Sequence, residues 1–201
     1  SDVTSGSAKI NAIPPPTVEL NGNAIDKITV TVTAIEDSSS RPITGAVPTT
    51  LNFDADDGFD TPQLLSNLDP YTVYNVEAVL TAESGVESPA SAPYSFRTSE
   101  ATPAAVQSLL AEELGDVITV LWTKPSPPNG VVSYRVAVEP SIDGMDDSVV
   151  VTGTGFNITG ALSGKSYTVT VTSFTSAGDG PSREASVDTV PSNVAAPMLA
   201  M

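Results

Sequence analysis

A short pattern occurs twice in this chain and fixes what it can become. In each copy a Leu leads through a polar turn to a Tyr that opens a run of alternating apolar residues. The first copy is Leu68, then Tyr74, Val76 and Ala78; the second is Leu162, then Tyr167, Val169 and Val171. Period-two alternation marks a strand with one buried face, because successive side chains of an extended chain point to opposite sides. The copies lie 93 residues apart counted between the Tyr residues and 94 counted between the Leu residues. A chain of 201 residues therefore has room for two such modules, each near the common domain size of about 100 residues.

Composition narrows the chemistry. There is no Cys and no His, which removes thiol catalysis, imidazole acid–base work and the usual zinc ligands together. Without disulfides each module must bury enough apolar surface unaided, which a module of this size can do. Eight basic against 24 acidic residues leave a net charge of -16, which repels phosphate backbones and anionic lipid surfaces. Nucleic acid is thus excluded as a partner. No apolar run approaches the roughly 18 residues of a membrane span, so no membrane insertion is expected within this segment. No nucleophile elbow, phosphate loop or metal triad is present, and the chain is expected not to be an enzyme.

Residues 1–13 are small and polar and are expected to form a leader or linker ahead of Pro14-Pro15-Pro16. A first domain is placed over 14–99. Val18 and Leu20 start strand A, a turn follows at Asn21-Gly22-Asn23, and Ile28, Val30 and Val32 alternate as strand B. Further strands are expected over Ile43 to Val47, Thr49 to Phe53, Leu64 to Leu68, Tyr74 to Leu80 and Ser91 to Arg97. The second domain spans 100–191. Its strands begin at Val106 and Leu109, then Ile118 to Trp122, Val132 to Val138, Ser148 to Thr152, Phe156 to Thr159, Tyr167 to Phe174 and Arg183 to Thr189. Residues 192–201 repeat the linker rhythm of the junction at Thr102 and read as a linker or the start of a further module. Many short strands with turns between them and no helical period argue for two-sheet sandwiches.

Several landmarks carry a family resemblance. Trp122 is followed by Pro125, Asn129-Gly130 precedes Tyr134, Leu162 pairs with Tyr167, and Ala177-Gly178-Asp179-Gly180-Pro181 precedes the last strand. The second half resembles a fibronectin type III domain, with Leu162 and Tyr167 as the tyrosine corner. The first half resembles the same family through Leu68, Tyr74 and Phe96-Arg97-Thr98, with Val32 where the Trp should be and no aromatic on strand C. The resemblance implies an all-β chain of two tandem seven-stranded, immunoglobulin-like sandwiches. It further implies a non-catalytic extracellular segment of a larger cell-surface or matrix protein, binding other proteins or neighbouring modules. Two alternatives stand beside it: a repeat of a self-assembling filament, and an accessory module of a secreted microbial carbohydrate-active enzyme.

Individual residues follow from the pattern. Trp122, Tyr134, Leu162, Tyr167, Leu68 and Tyr74 are expected in the cores. Asn157-Ile158-Thr159 is an N-glycosylation sequon, and strand alternation turns Asn157 outward. Glu112, Glu113 and Asp116 on one turn, with Asp143, Asp146 and Asp147 after strand C, are expected at one pole. Six carboxylates there are solvated charge unless they converge on Ca²⁺, which takes six to eight oxygens at about 2.3 to 2.6 Å. No other cofactor is expected. In the first domain Asp54, Asp56, Asp57 and Asp60 form a second acidic stretch that lacks the EF-hand spacing. Gly178-Asp179-Gly180 lies where some family members carry Arg-Gly-Asp, but no Arg precedes it, and a tight hairpin turn accounts for it.

Overall fold

The structure is a computed structural model that describes residues 3–14, 24–57, 59 and 61–191. The expected strand at Val18 and Leu20, the turn at Asn21-Gly22-Asn23, Asp60, the Asp57 side chain and the tail 192–201 lie outside the described residues. The chain divides into two compact units, Ser1–Ala101 and Thr102–Met201.

The second unit holds seven strands among the described residues: β7 (Leu109–Leu114), β8 (Val117–Trp122), β9 (Ser133–Glu139), β10 (Val149–Val151), β11 (Gly155–Thr159), β12 (Ser166–Thr175) and β13 (Gly178–Asp188). They make a three-stranded sheet, β11-β8-β7, and a four-stranded sheet, β10-β9-β12-β13. Alternation in the sequence becomes burial here. Ile118, Val120 and Trp122 of β8 face Tyr134, Val136 and Val138 of β9 and Tyr167, Val169 and Val171 of β12 in one core. Cross-strand pairs such as Val171 with Val136 and Val169 with Val138 fix the register, because a one-residue slip would turn the whole apolar set to water.

The first unit holds β1 (Ser7–Ile10), β2 (Ile25–Glu36), β3 (Thr49–Asp54), a 3₁₀ turn at Ala55–Asp57, β4 (Gln63–Ser66), β5 (Val73–Ala82) and β6 (Tyr94–Arg97). β1 and β4 form a two-stranded sheet, and β3-β2-β5-β6 form a four-stranded one. Thus the described residues carry six strands of the expected seven. The leader or linker expected over 1–13 is, from Ser7 on, part of the sandwich: Ser7–Ile10 pairs with β4, and Ala8 and Ala12 are buried. The short run of small residues gave too little alternation to show this. The run at Ile28, Val30 and Val32 is likewise not strand B, since it lies between β3 and β5 in the four-stranded sheet. No strand forms over Ile43 to Val47, where Gly45 takes a positive φ and Val47 is exposed ahead of Pro48.

The two units can be superimposed residue by residue through their registers. Leu65 lies nine residues before Tyr74 and pairs with Ala8; Ile158 lies nine before Tyr167 and pairs with Ile118. β1 therefore corresponds to β8, and two steps further along each inward face Ala12 corresponds to Trp122. Likewise Val76 pairs with Val32 and Leu80 with Ile28, while Val169 pairs with Val138 and Ser173 with Tyr134. Ile28 thus corresponds to Tyr134. Where the second unit has a Trp–Tyr pair, the first has Ala and Ile.

Candidate interaction surfaces

The Tyr residues of the repeated pattern do structural work. The Leu162 amide donates to the Tyr167 hydroxyl at 2.8 Å, and the Asp69 amide donates to the Tyr74 hydroxyl at 2.8 Å. Each bond ties a turn to the strand that follows it, five residues on. The register makes Asp69, not Leu68, the partner of Leu162. Leu68 packs against its core as expected, but Leu162 is 58% exposed and Ala161 takes the packed position. Two threonines complete these corners. The Thr98 hydroxyl accepts from the Thr72 amide and donates to the Asp69 carbonyl. Thr189 does the same between the Lys165 amide and the Leu162 carbonyl. Their signal is positional: each Thr follows directly on the last strand of its unit.

Gly178-Asp179-Gly180 is not a hairpin turn. It opens β13, with Asp179 opposite Phe174 across a register shift in β12. Asp179 accepts a hydrogen bond from Arg135 at 2.8 Å, and the Arg135 guanidinium lies 5.0 Å from the Phe174 ring centroid. Its carboxylate is thus already engaged by a cation of its own unit. A Cβ on Gly180 would come within 2.3 Å of the Pro103 carbonyl oxygen, so the glycine serves a close backbone approach.

The six carboxylates are distributed rather than gathered. Glu112 and Glu113 lie within β7, not on the turn after it, and as neighbours in a strand they point to opposite faces. Glu113 accepts from the Val190 amide. Asp116 sits in the β7–β8 turn, while Asp143 and Asp146 line a cavity of about 320 Å³ with Met145, Phe156 and Asn157. Asp147 follows outside that lining. Val117 pairs with Thr159, and Gly160 packs near Ile142, so both loops do share one end of the sandwich. Among the described residues, however, no three carboxylates come close enough together to hold a metal ion.

The outer face of the three-stranded sheet is ordered in rows. Asn157 of β11 is exposed and stands opposite Thr119 of β8, which stands opposite Glu112 of β7. In the adjacent row, Leu110 and Leu121 are about half exposed and pair with each other, with Gly155 beyond Leu121. The sequon asparagine therefore faces solvent, beside a small apolar step.

The first unit also carries a concavity of its own. A groove of about 450 Å³ opens between Ala12 and Ile13 on one side and Ala78, Leu80 and Pro89 on the other, with Tyr94 at its rim. One wall explains itself from sequence. Pro89 and Pro93 cannot donate ladder hydrogen bonds, so β6 begins only at Tyr94 instead of Ser91. Serines keep this segment attached to β5: the Ser88 and Ser91 amides donate to the Leu80 and Ala78 carbonyls, and their hydroxyls accept from the Leu80 and Ala78 amides, each at 3.0 Å. Ala12 lines the groove at the position where the second unit has an indole.

Comparison with known proteins settles the family. The fibronectin type III domain model matches residues 104–189. The second unit is a fibronectin type III domain. The fold extends to both units: the crystal structure of chicken CNTN1 FN1-FN3 domains aligns over 95% of this chain and 64% of its own, with a TM-score of 0.57 at 18% identity. The chain is thus a tandem of fibronectin type III-like sandwiches, the first divergent. Rat phosphatidylinositol phosphatase PTPRQ is 31% identical over 51% of this chain and 4% of its own. Chicken protein sidekick-2 is 32% identical over 69% of this chain and 6% of its own. Zebrafish (Danio rerio) receptor-type tyrosine-protein phosphatase F is 26% identical over 88% of this chain and 10% of its own. This chain therefore corresponds to a small part of each of those relatives.

Proposed function

We propose that this chain is a non-catalytic adhesion and spacer segment of a larger multi-module protein at the cell surface or in the extracellular matrix. It contacts other proteins or neighbouring modules through its sheet faces and loops, and Asn157 is its glycan acceptor. The observation that carries this reading is a disparity of lengths. A receptor-type phosphatase matches along 88% of this chain but only 10% of its own length, as expected when the shared part is a module within a long protein. Two independent cores, each tied at its tyrosine corner, suit a chain that must hold shape under load, and the net charge of -16 opposes unspecific association.

Two measurements test the two halves of the proposal. Pulling on single molecules should unfold the units one at a time, each releasing roughly 300 Å of chain at about 3.5 Å per residue; a single smooth extension would remove the spacer role. Beads coated with the chain should bind cells of the source organism and be released by soluble chain. Beads that bind nothing would remove the adhesive role.

A further inference from the structure

The sequon stands on the outer face of the three-stranded sheet of the second unit, and the rows of that face differ in character. Asn157, Thr119 and Glu112 make a polar row across β11, β8 and β7. The next row is Gly155, Leu121 and Leu110. Ile118, Val120 and Trp122 of β8 are buried, so alternation turns Leu121 outward with Thr119. Leu121 and Leu110 are 51% and 49% exposed. Two paired leucines thus leave apolar surface in water, which is unfavourable in proportion to its area.

Gly155 shapes this row. A Cβ built on it would meet Leu121 Cδ2 at 3.0 Å, so the leucine leans across onto the strand that carries the sequon. Gly155 and Asn157 are two residues apart in β11 and share its outer face. The methyl groups of Leu121 therefore lie diagonally beside the root of the Asn157 side chain, a separation that a long group can cross. On its other side Asn157 borders the cavity of about 320 Å³ that Asp143 and Asp146 also line, and both of those residues are exposed. A sugar placed there takes water from carboxylates, which costs free energy. A sugar laid on Leu121 covers apolar surface with the C–H face of its ring and keeps its hydroxyls in water.

We propose that the Leu121–Leu110 step is the seat of the glycan on Asn157. The first N-acetylglucosamine lies with its apolar face on Leu121, and the second continues towards Leu110. The two leucines stand on adjacent strands about 4.8 Å apart, a spacing that one pyranose ring spans. The inference rests on Asn157 being the glycan acceptor and adds where the glycan goes. It becomes a fixed cover of the sheet, shielding this apolar row from other proteins and leaving contacts to other faces.

The test compares the whole chain secreted from a eukaryotic cell line with the same chain made in bacteria, which carries no sugar. A mass spectrum of the peptide holding Asn157 reads occupancy; an empty Asn157 in the secreted protein removes the acceptor reading and this inference with it. Occupied protein is then trimmed enzymatically to a single N-acetylglucosamine. Its second unit should melt about 4 °C above the sugar-free chain, the shift for covering roughly 40 Å² of apolar surface. NMR should show Overhauser contacts between the sugar ring protons and the Leu121 methyl groups. In Leu121→Thr the trimmed and sugar-free forms should melt together, whereas Asp146→Asn should keep the full difference. Three results overturn the inference while leaving Asn157 as acceptor: an occupied Asn157 with no rise in melting temperature, a rise that survives Leu121→Thr, or sugar contacts to Met145 in place of Leu121.

Discussion

Trp122 and Tyr134 meet edge to face, with ring centroids 5.3 Å apart and planes at 64°, the geometry that sets the positive edge of one ring against the negative face of the other. Both rings are buried, and the Trp122 Nε1 is enclosed with no hydrogen-bond partner. Trp122→Ala should therefore cost about 3 to 5 kcal/mol, on the order of the whole stability of a small domain. Trp122→Phe should cost much less, because it also removes a buried unsatisfied donor. Urea unfolding followed by circular dichroism distinguishes the two. Equal losses for Phe and Ala would mean that the orphan nitrogen carries no penalty.

The tyrosine corners give a paired expectation. Tyr167→Phe and Tyr74→Phe keep the buried rings but leave the Leu162 and Asp69 amides without their acceptors. Each should lose about 1 kcal/mol, and exchange of the Leu162 and Asp69 amides with solvent deuterium should accelerate in the corresponding variant only. Unchanged exchange at those two amides would show that the bond is not what holds the turn.

How much of this was legible in the sequence differs between the units, for a physical reason. In the second unit every inward face is written in large residues: Ile118, Val120, Trp122, then Tyr134, Val136, Val138. Its seven strands and their two-sheet arrangement follow from that alternation. In the first unit the strand equivalent to β8 is Ser7-Ala8-Lys9-Ile10, too short and too small to outweigh the strong alternation of Ile28, Val30 and Val32 behind it. The alternation places that later run one strand too early in the fold and puts Val32 in the position that Ala12 holds. The carboxylates were legible as charge, but whether they converge depends on strand direction: Glu112 and Glu113 sit in β7, where alternation separates them.

Gly180 should be the least replaceable glycine of the second unit. A methyl group there meets the Pro103 carbonyl oxygen at 2.3 Å, and backbone cannot yield as a flexible side chain does. Gly180→Ala should cost about 1 to 3 kcal/mol by forcing β13 away from the entering chain. Gly153→Ala, which meets nothing within 4 Å, is the control; it should stay within about 0.5 kcal/mol of the parent. If both variants melt at the parent temperature, the close approach is absent in solution.

The scattered carboxylates predict indifference to calcium. A specifically bound ion stabilises the folded state by an amount that grows with ion concentration. With Asp143 and Asp146 on one cavity and Glu112, Glu113, Asp116 and Asp147 elsewhere, millimolar Ca²⁺ should leave Tm where an equal ionic strength of NaCl leaves it. A calcium-specific rise that disappears in Asp143→Asn with Asp146→Asn would mean the end loops close around the ion, and would restore these carboxylates as ligands.

Burial of the Tyr134 and Tyr74 rings raises the pKa of both hydroxyls above the usual tyrosine value of 10.0; at Tyr74 the acceptor bond from the Asp69 amide works in the opposite direction and burial prevails. The sign of the linkage follows. Folding favours the neutral phenol, so this contribution to stability is complete below the unfolded pKa of about 10 and is lost as pH climbs from there through the folded values. In an alkaline titration, the Tyr74 and Tyr134 hydroxyls should ionise in a late stage, as the native circular dichroism collapses. Tyr134→Phe should remove one hydroxyl from the late stage and shift the collapse to higher pH. Ionisation of Tyr74 and Tyr134 with the β-signal intact would mean that both rings reach water without unfolding, which is incompatible with the packing of Tyr134 against Trp122.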